Sequence, residues 1–361
     1  MRFILRGLLV LLLLVAVTGG AGWLLRDQIA MVIYRRGVDA VLRADLTTSL
    51  PDGLHVGLCG SGSPMPAPDR MGPCVAVLAG KRMFLVDSGS GGVRNLQRMG
   101  FSPGKLEGVF LTHFHSDHID GLGETMLQRW ATGSTTTPLA VFGPTGVDQV
   151  VAGFNMAYGF DKGYRIAHHG PAVVPPSGFG GEAHPFAPPV AGQFATVIDG
   201  PELKVEAILV DHHPVEPAVG YRFSYKGRCA VISGDTRPTP AIELAAEGCD
   251  LLVHEALAPN MVAVQQASAE ANGRPNLAKI MHDIPDYHTT PEQAAGIAAR
   301  AGVGFLLLDH IVPPLPLRIL EGPFLGKART IYKGPLHVGQ DGDLVSMPVG
   351  SKVTTFRNLL H

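Results

Sequence analysis

Thr112-His113-Phe114-His115-Ser116-Asp117-His118-Ile119-Asp120-Gly121 is the stretch that decides how this chain is read. It follows an apolar run, Gly108–Thr112, that predicts a strand, and leads into Gly121–Ala131, whose spacing predicts a helix. Alternate residues leaving a strand point to one side, so His113 and His115 can grip one ion while the turn aims Asp117 and His118 at a second. Surface histidines in a polar turn are the plain alternative, but four ligand-type side chains so closely spaced rarely arise as filler. A catalytic zinc takes about three protein ligands and keeps a position open. One cluster therefore cannot close two sites, and further ligands must come from farther along the chain.

Three later runs supply them: Asp211-His212-His213-Pro214-Val215, Ser233-Gly234-Asp235-Thr236 and Leu308-Asp309-His310-Ile311. Each sets a His or Asp at the edge of a hydrophobic run, where a sheet would converge on one rim. Short apolar runs predict strands at Leu54–Cys59, Cys74–Leu78, Met83–Asp87 and Leu139–Phe142, then at Leu203–Val210, Ala218–Tyr225, Arg228–Ser233, Leu251–His254 and Phe305–Leu308. Helices are expected over Gly92–Met99, Pro240–Glu247 and Pro291–Ala301. Two β-rich halves with interspersed helices imply two sheets packed face to face, helices outside. The segment 160–194, rich in Gly, Pro and His, reads as a surface insertion, either a lid or decoration.

With 46% hydrophobic and 17% charged residues, the 361-residue chain is a packed globular protein carrying an added apolar segment. A formal net charge of −2 gives no overall basic field, so nucleic acid is disfavoured as a partner without being excluded. Gly7–Leu25 is uncharged, preceded by Arg2 and Arg6, and long enough to span a bilayer. It predicts an N-terminal membrane helix in 1–27, anchor rather than cleaved signal, with a juxtamembrane helix in 28–50 and a catalytic domain over 51–361. The membrane is then a partner and the domain exported, an orientation that Arg26, Arg35, Arg36 and Arg43 weaken. Cys59 and Cys74 flank a Gly/Pro-rich turn, and their pairing is left open; Cys229 and Cys249 read as buried thiols. The sequence leaves a homodimer open.

The strand-end His-x-His-x-Asp-His motif with three downstream ligands resembles the metallo-β-lactamase superfamily over Leu54–Met347. The resemblance implies an α/β four-layer αββα sandwich and two Zn2+ ions, with other divalent metals as alternatives. Carried over residue by residue, it puts His113, His115 and His212 on one ion, Asp117, His118 and His310 on the other, and Asp235 between them. His212 is preferred to its neighbour His213 because VDHHPVEPAVGYRF, Val210–Phe223, looks like a segment of arylsulfatase-like members whose ligand is the first His. His254-Glu255-Ala256 and His288-Thr289-Thr290-Pro291 match elements of the branch shared by ribonuclease Z and the arylsulfatase-like hydrolases, where the Glu and His form a catalytic pair. Asp87, after Met83–Val86, matches the Asp that holds a ligand imidazole from behind.

The function these residues predict is a dinuclear zinc hydrolase in which a bridging hydroxide attacks an ester, while His288, oriented by Glu255, protonates the leaving oxygen and Asp117 belongs to the catalytic set. An arylsulfatase-like enzyme acting on a small-molecule sulfate, phosphate or related ester is the first expectation. A ribonuclease Z-type phosphodiesterase is the second, opposed by the apolar N-terminus and the neutral charge. A membrane-bound binding protein that has lost catalysis is the rival of a different class.

Overall fold

The computed structural model describes residues 6–7, 23–43 and 45–360. Its strands are β1 (Gly53–Gly60), β2 (Cys74–Ala79), β3 (Arg82–Val86), β4 (Leu106–Phe110), β5 (Leu139–Pro144), β6 (Gly181–Phe186), β7 (Phe194–Asp199), β8 (Leu203–Leu209), β9 (Val219–Tyr225), β10 (Arg228–Ile232), β11 (Leu251–Leu257), β12 (Leu306–Val312), β13 (Leu336–Val338), β14 (Asp343–Pro348) and β15 (Thr355–Asn358). One sheet runs β15-β14-β1-β2-β3-β4-β5-β6 and the other β13-β12-β11-β10-β9-β8-β7.

Between the sheets, Leu54, Val56, Phe84 and Phe110 meet Val205, Tyr221, Phe223, Val253 and Leu307. Phe110 sits at the middle of this layer, its ring 5.4 Å from Phe223 and 5.3 Å from Tyr221. The outer face of the first sheet is covered by helices Gly92–Arg98, Leu122–Gly133 and Val147–Ala157 through Leu96, Met126 and Val151. Pro240–Ala246 and Pro291–Ala301 cover the second through Ile242, Ala245, Ala294 and Ala298. The result is the four-layer αββα order. Both faces of the central strands are buried, which is why β11 (LLVHEAL) and β12 (LLLDHIV) read as unbroken apolar runs without alternation.

The segment 160–194, expected as a surface insertion, contains most of the helix Gly159–His169, none of whose residues is buried, and the edge strand β6, which pairs in parallel with β5. Its Pro185 hid the strand, yet an edge needs hydrogen bonds on one side only, so proline is tolerated there. The helices Pro259–Ala271 and Pro275–Asp283 and the strands β13 to β15 carried no clear periodic signal.

Cys59 pairs with Cys74, and Cys229 pairs with Cys249. The second pair corrects the expectation of buried thiols: β10 and β11 are parallel neighbours, and Cys249, just before β11, falls 5.1 Å in Cα separation from Cys229.

The N-terminal unit, Met1–Asp45, contains one long described helix, Arg26–Arg43, none of whose residues is buried. Most of the apolar run Gly7–Leu25 lies outside the described residues. Among the described residues no helix is long and apolar enough to cross a membrane, because Arg26–Arg43 intersperses Asp27, Arg35, Arg36 and Asp39 with its apolar positions. The membrane helix expected in 1–27 therefore lies largely outside the described residues, and the expectation of an anchored, exported domain is corrected to one that nothing among the described residues supports.

Candidate metal centre

The loop after β4 is fixed from both sheets. Asp87, at the end of β3, accepts hydrogen bonds from the Thr112 N–H and the Thr112 hydroxyl, both at 2.8 Å. From the other sheet, Val219 donates its N–H to the Thr112 carbonyl at 2.9 Å, and the Tyr221 hydroxyl donates to Leu111 O at 2.6 Å. Gly234, at φ 60°, completes the clamp; a Cβ there would lie 2.9 Å from Thr112 Cβ, so only glycine lets the loop bearing Asp235 approach this closely.

These contacts also set tautomers. The Thr112 hydroxyl has one proton and gives it to Asp87, so in the 3.0 Å contact with His113 the ring Nδ1–H must donate to Thr112 Oγ1. His212 donates its Nδ1–H to the Tyr287 carbonyl at 3.0 Å, and His118 sets Nδ1 against Asp87 Oδ2 at 2.8 Å. Each of the three rings therefore turns Nε2 inward, the atom that offers a lone pair whenever the ring is neutral.

What they face is a single carboxylate oxygen. Asp235 Oδ2 lies 3.3 Å from His310 Nε2, 3.4 Å from His118 Nε2, 3.9 Å from His212 Nε2 and 4.0 Å from His113 Nε2. His115 Nδ1 lies 3.0 Å from His113 Nε2 and 3.4 Å from His212 Nε2, and Asp117 Oδ2 lies 3.3 Å from His310 Nε2. Donor atoms thus fall into the groups His113, His115, His212, Asp235 and Asp117, His118, His310, with His288 beside Asp235 and His310 in a third. His213 is not among them; it sits exposed, 3.2 Å from Glu216.

Two non-glycine residues at this rim adopt left-handed backbone, Asp87 at φ 60° and His310 at φ 44°. Such conformations cost on the order of 1–3 kcal/mol and persist where the surroundings enforce them. At His310 the cause is a bulge: Glu255 pairs with Asp309 and Ala256 with Ile311, so His310 is the extra residue, swung off the ladder toward Asp117.

The electrostatics call for a cation. Burial opposes a charge on His118 and on His310, but Asp235 with Asp87 and Asp117 outweighs it, raising His118 well above the ordinary histidine range and His310 to about 9. Burial likewise opposes ionisation of Asp235, and His310 and His118 overcome it, holding the carboxyl well below its ordinary range. His113, by contrast, is lowered by burial and by His118, and stays a neutral donor. His118 Nε2 and Asp235 Oδ1 are buried without a hydrogen-bond partner. Orphaned donor atoms facing one another around concentrated carboxylates fit a divalent metal ion and little else.

Beside the centre, Glu255 Oε1 accepts from the Thr289 N–H at 2.8 Å and lies 3.1 Å from His288 Nδ1. The helix that follows starts firmly, with Thr290 and Gln293 forming a reciprocal cap and Pro291 at its first turn, which fixes where His288 emerges.

The sequence model described as "Metallo-beta-lactamase superfamily" matches residues 67–281. Over 292 residues the chain is 36% identical to a ribonuclease Z of Mycobacterium marinum, covering 80% of this chain and 96% of that protein. A ribonuclease Z of Mycobacterium avium is 38% identical over 290 residues, with the same shares covered. The chain belongs to the ribonuclease Z branch of the metallo-beta-lactamase superfamily. Among solved structures, human tRNase Z, short form, superposes with a TM-score of 0.54 at 20% identity, covering 81% of this chain and 99% of that one, which is a likeness of fold.

Membership in this branch makes the chain a metal-dependent hydrolase acting on ester bonds. It also corrects the arylsulfatase-like expectation. The elements His254-Glu255-Ala256 and His288-Thr289-Thr290 were expected to form a pair that would give a proton to a departing oxygen, a task common to sulfate and phosphate esters, so they could not discriminate between the two. The small-molecule ester and the membrane expected as partners have no support among the relatives.

Sequence reasoning missed the residues behind the centre. Ser61, Arg70, Asn95 and Asp341 form a buried network beside β12. Their only signal is polarity inside apolar surroundings, which an isolated sequence does not reveal.

Proposed function

We propose that this chain is a ribonuclease Z-type phosphodiesterase, cleaving the RNA phosphodiester at the 3′ end of precursor tRNA with two zinc ions. The observation that carries this reading is the match along 96% of the length of a ribonuclease Z, with no large part of the relative left over. His113, His115 and His212 would hold one ion, Asp117, His118 and His310 the other, and Asp235 would reach both. Bound metal supplies Lewis acidity and a water of near-neutral pKa.

The chain's own residues supply orientation and a proton. Asp87 and Thr112 hold His118 and His113 with Nε2 inward. Glu255, fixed by the Thr289 N–H, accepts the Nδ1–H of His288 and stabilises that ring when it is charged. A proton on His288 Nε2, on the side of Asp235 and His310, is then placed to reach the departing ribose oxygen. Zinc-loaded protein should release the 3′ trailer from precursor tRNA and leave mature tRNA intact. Hydrolysis of bis(p-nitrophenyl) phosphate with no cleavage of precursor tRNA would reject the RNA substrate.

A further inference from the structure

His310 depends on groups that come from the opposite sheet and the C-terminal segment. The bulge that carries it is bracketed by two backbone hydrogen bonds: Ile311 donates its N–H to the Ser61 carbonyl at 3.1 Å, and Gly339 donates to the Leu308 carbonyl at 2.7 Å. A Cβ at Gly339 would lie 2.4 Å from that same Leu308 carbonyl, so the approach is available to glycine alone. Both brackets lead into one buried cluster. Asp341 Oδ1 accepts from the Ser61 N–H at 2.9 Å and from the Ser61 hydroxyl at 2.8 Å. Arg70 donates from Nη1 to Ser61 Oγ at 2.8 Å and to the Gly339 carbonyl. On its far side Asp341 Oδ2 accepts from the Met71 N–H at 2.8 Å and from Asn95 Nδ2 at 2.6 Å.

We infer that Asp341 is a positioning residue for the metal centre, holding Ser61, and through it the Ile311 N–H, so that His310 keeps its left-handed backbone and its Nε2 faces Asp117 and Asp235. The inference rests on the metal reading above. Asp341 accepts four hydrogen bonds and donates none, and the surroundings allow no alternative. Ser61 Oγ already receives Arg70, and the other three partners are N–H groups. An amide in place of this carboxylate must turn its NH2 against donors on one side or the other. The cluster contains none of the proposed ligands, and on this reading its loss acts on His310 alone.

Asp341→Asn and Ser61→Ala, prepared as the full chain, test this. The readouts are stepwise metal affinity by chelator competition and the visible spectrum of the Co2+-loaded protein, with circular dichroism and the unfolding temperature as controls. Asp341→Asn is expected to weaken one metal-binding step by about 10- to 100-fold, the range for groups that orient a ligand from behind. The other step should stay within about twofold, and the Co2+ spectrum should lose intensity as one imidazole leaves. Ser61→Ala keeps the backbone groups and should show a smaller loss at the same step. Folded variants with unchanged affinities and spectrum overturn the inference, as does equal weakening of both steps. Should Asp341→Asn fail to fold, Ser61→Ala decides, and an unchanged spectrum and titration there overturn it. Failure of the wild-type chain to bind metal would overturn the metal reading instead, which separates the two outcomes.

Discussion

Asp87→Asn isolates the effect of tautomer control on the metal centre. Asparagine tolerates the left-handed backbone that Asp87 adopts at φ 60°, so the main chain can stay in place. The new Oδ1 can still accept the Thr112 N–H, but an NH2 group takes the position of Oδ2, which now receives both the Thr112 hydroxyl and His118 Nδ1. The hydroxyl can rotate and accept. His118 has to accept at Nδ1 as well, and a neutral ring then carries its proton on Nε2, the atom 3.4 Å from Asp235 Oδ2 and 3.5 Å from Asp117 Oδ2. Two hydrogen bonds to a charged group, about 1.5–3 kcal/mol each, become neutral ones of about 0.5–1.5 kcal/mol, so the metal-free fold should lose about 2–3 kcal/mol. Metal affinity should fall about 10- to 100-fold, which is about 1.4–2.7 kcal/mol, since the inward lone pair must be recovered before an ion can bind. Chelator competition at pH 7 and urea unfolding of the metal-free protein measure the two quantities. An affinity within twofold of wild type in a folded variant would refute the argument that Asp87 sets the His118 tautomer.

His288→Ala should slow cleavage of precursor tRNA by about 10²–10⁴-fold, yet slow bis(p-nitrophenyl) phosphate by less than about tenfold, because nitrophenolate departs without a proton; equal losses on both substrates would remove His288 as the acid. Metal-free protein should be most stable near pH 6.5. His310, raised to about 9, and His118, raised well above the ordinary histidine range, contribute stability that is complete below 6.5 and lost as pH climbs toward 9 and beyond. On the acid side, burial keeps His113, His115 and His212 neutral, and Asp117 and Asp235 are lowered, so stability present above each unfolded pKa is lost as pH falls. Urea unfolding across pH 5 to 9 checks this, and added metal should abolish the alkaline decline by taking the place of the protons. Replacing Cys229 and Cys249 by serine, residues 20 apart in sequence, should cost about 3 kcal/mol in the same assay, and dithiothreitol should then cost the variant only what the remaining Cys59–Cys74 pair contributes.

The central strands were legible because burial on both faces writes itself as continuous apolar sequence, and polar residues at their ends stood out against it. β11 and β12 illustrate this: His254 and Glu255, then Asp309 and His310, are the polar residues in otherwise aliphatic runs. Edge and C-terminal strands lacked that contrast. β6 and β15 are short and partly exposed, so Pro185 or a single Phe356 could not announce them. The pairing of Cys229 with Cys249 depends on two strands lying side by side, a relation between distant segments that local pattern does not encode. The same holds for Asp341 and Ser61, 280 positions apart. Net charge misled the choice of substrate for a different reason. A total of −2 averages over the whole surface, whereas on the proposed reading a phosphate would be held locally, at one rim.

The bulge at His310 has a consequence for biosynthesis. Asp117, in the short helical turn that follows β4, meets His310 of β12 in the other sheet across 193 positions of chain. On the proposed ligand assignment, a growing polypeptide displays the whole His113–His118 motif long before β12 has left the ribosome, and could not close a site that needs His310 until it does. Metal capture there would be tied to synthesis through β12, and a product terminated before it would retain the motif while lacking the centre.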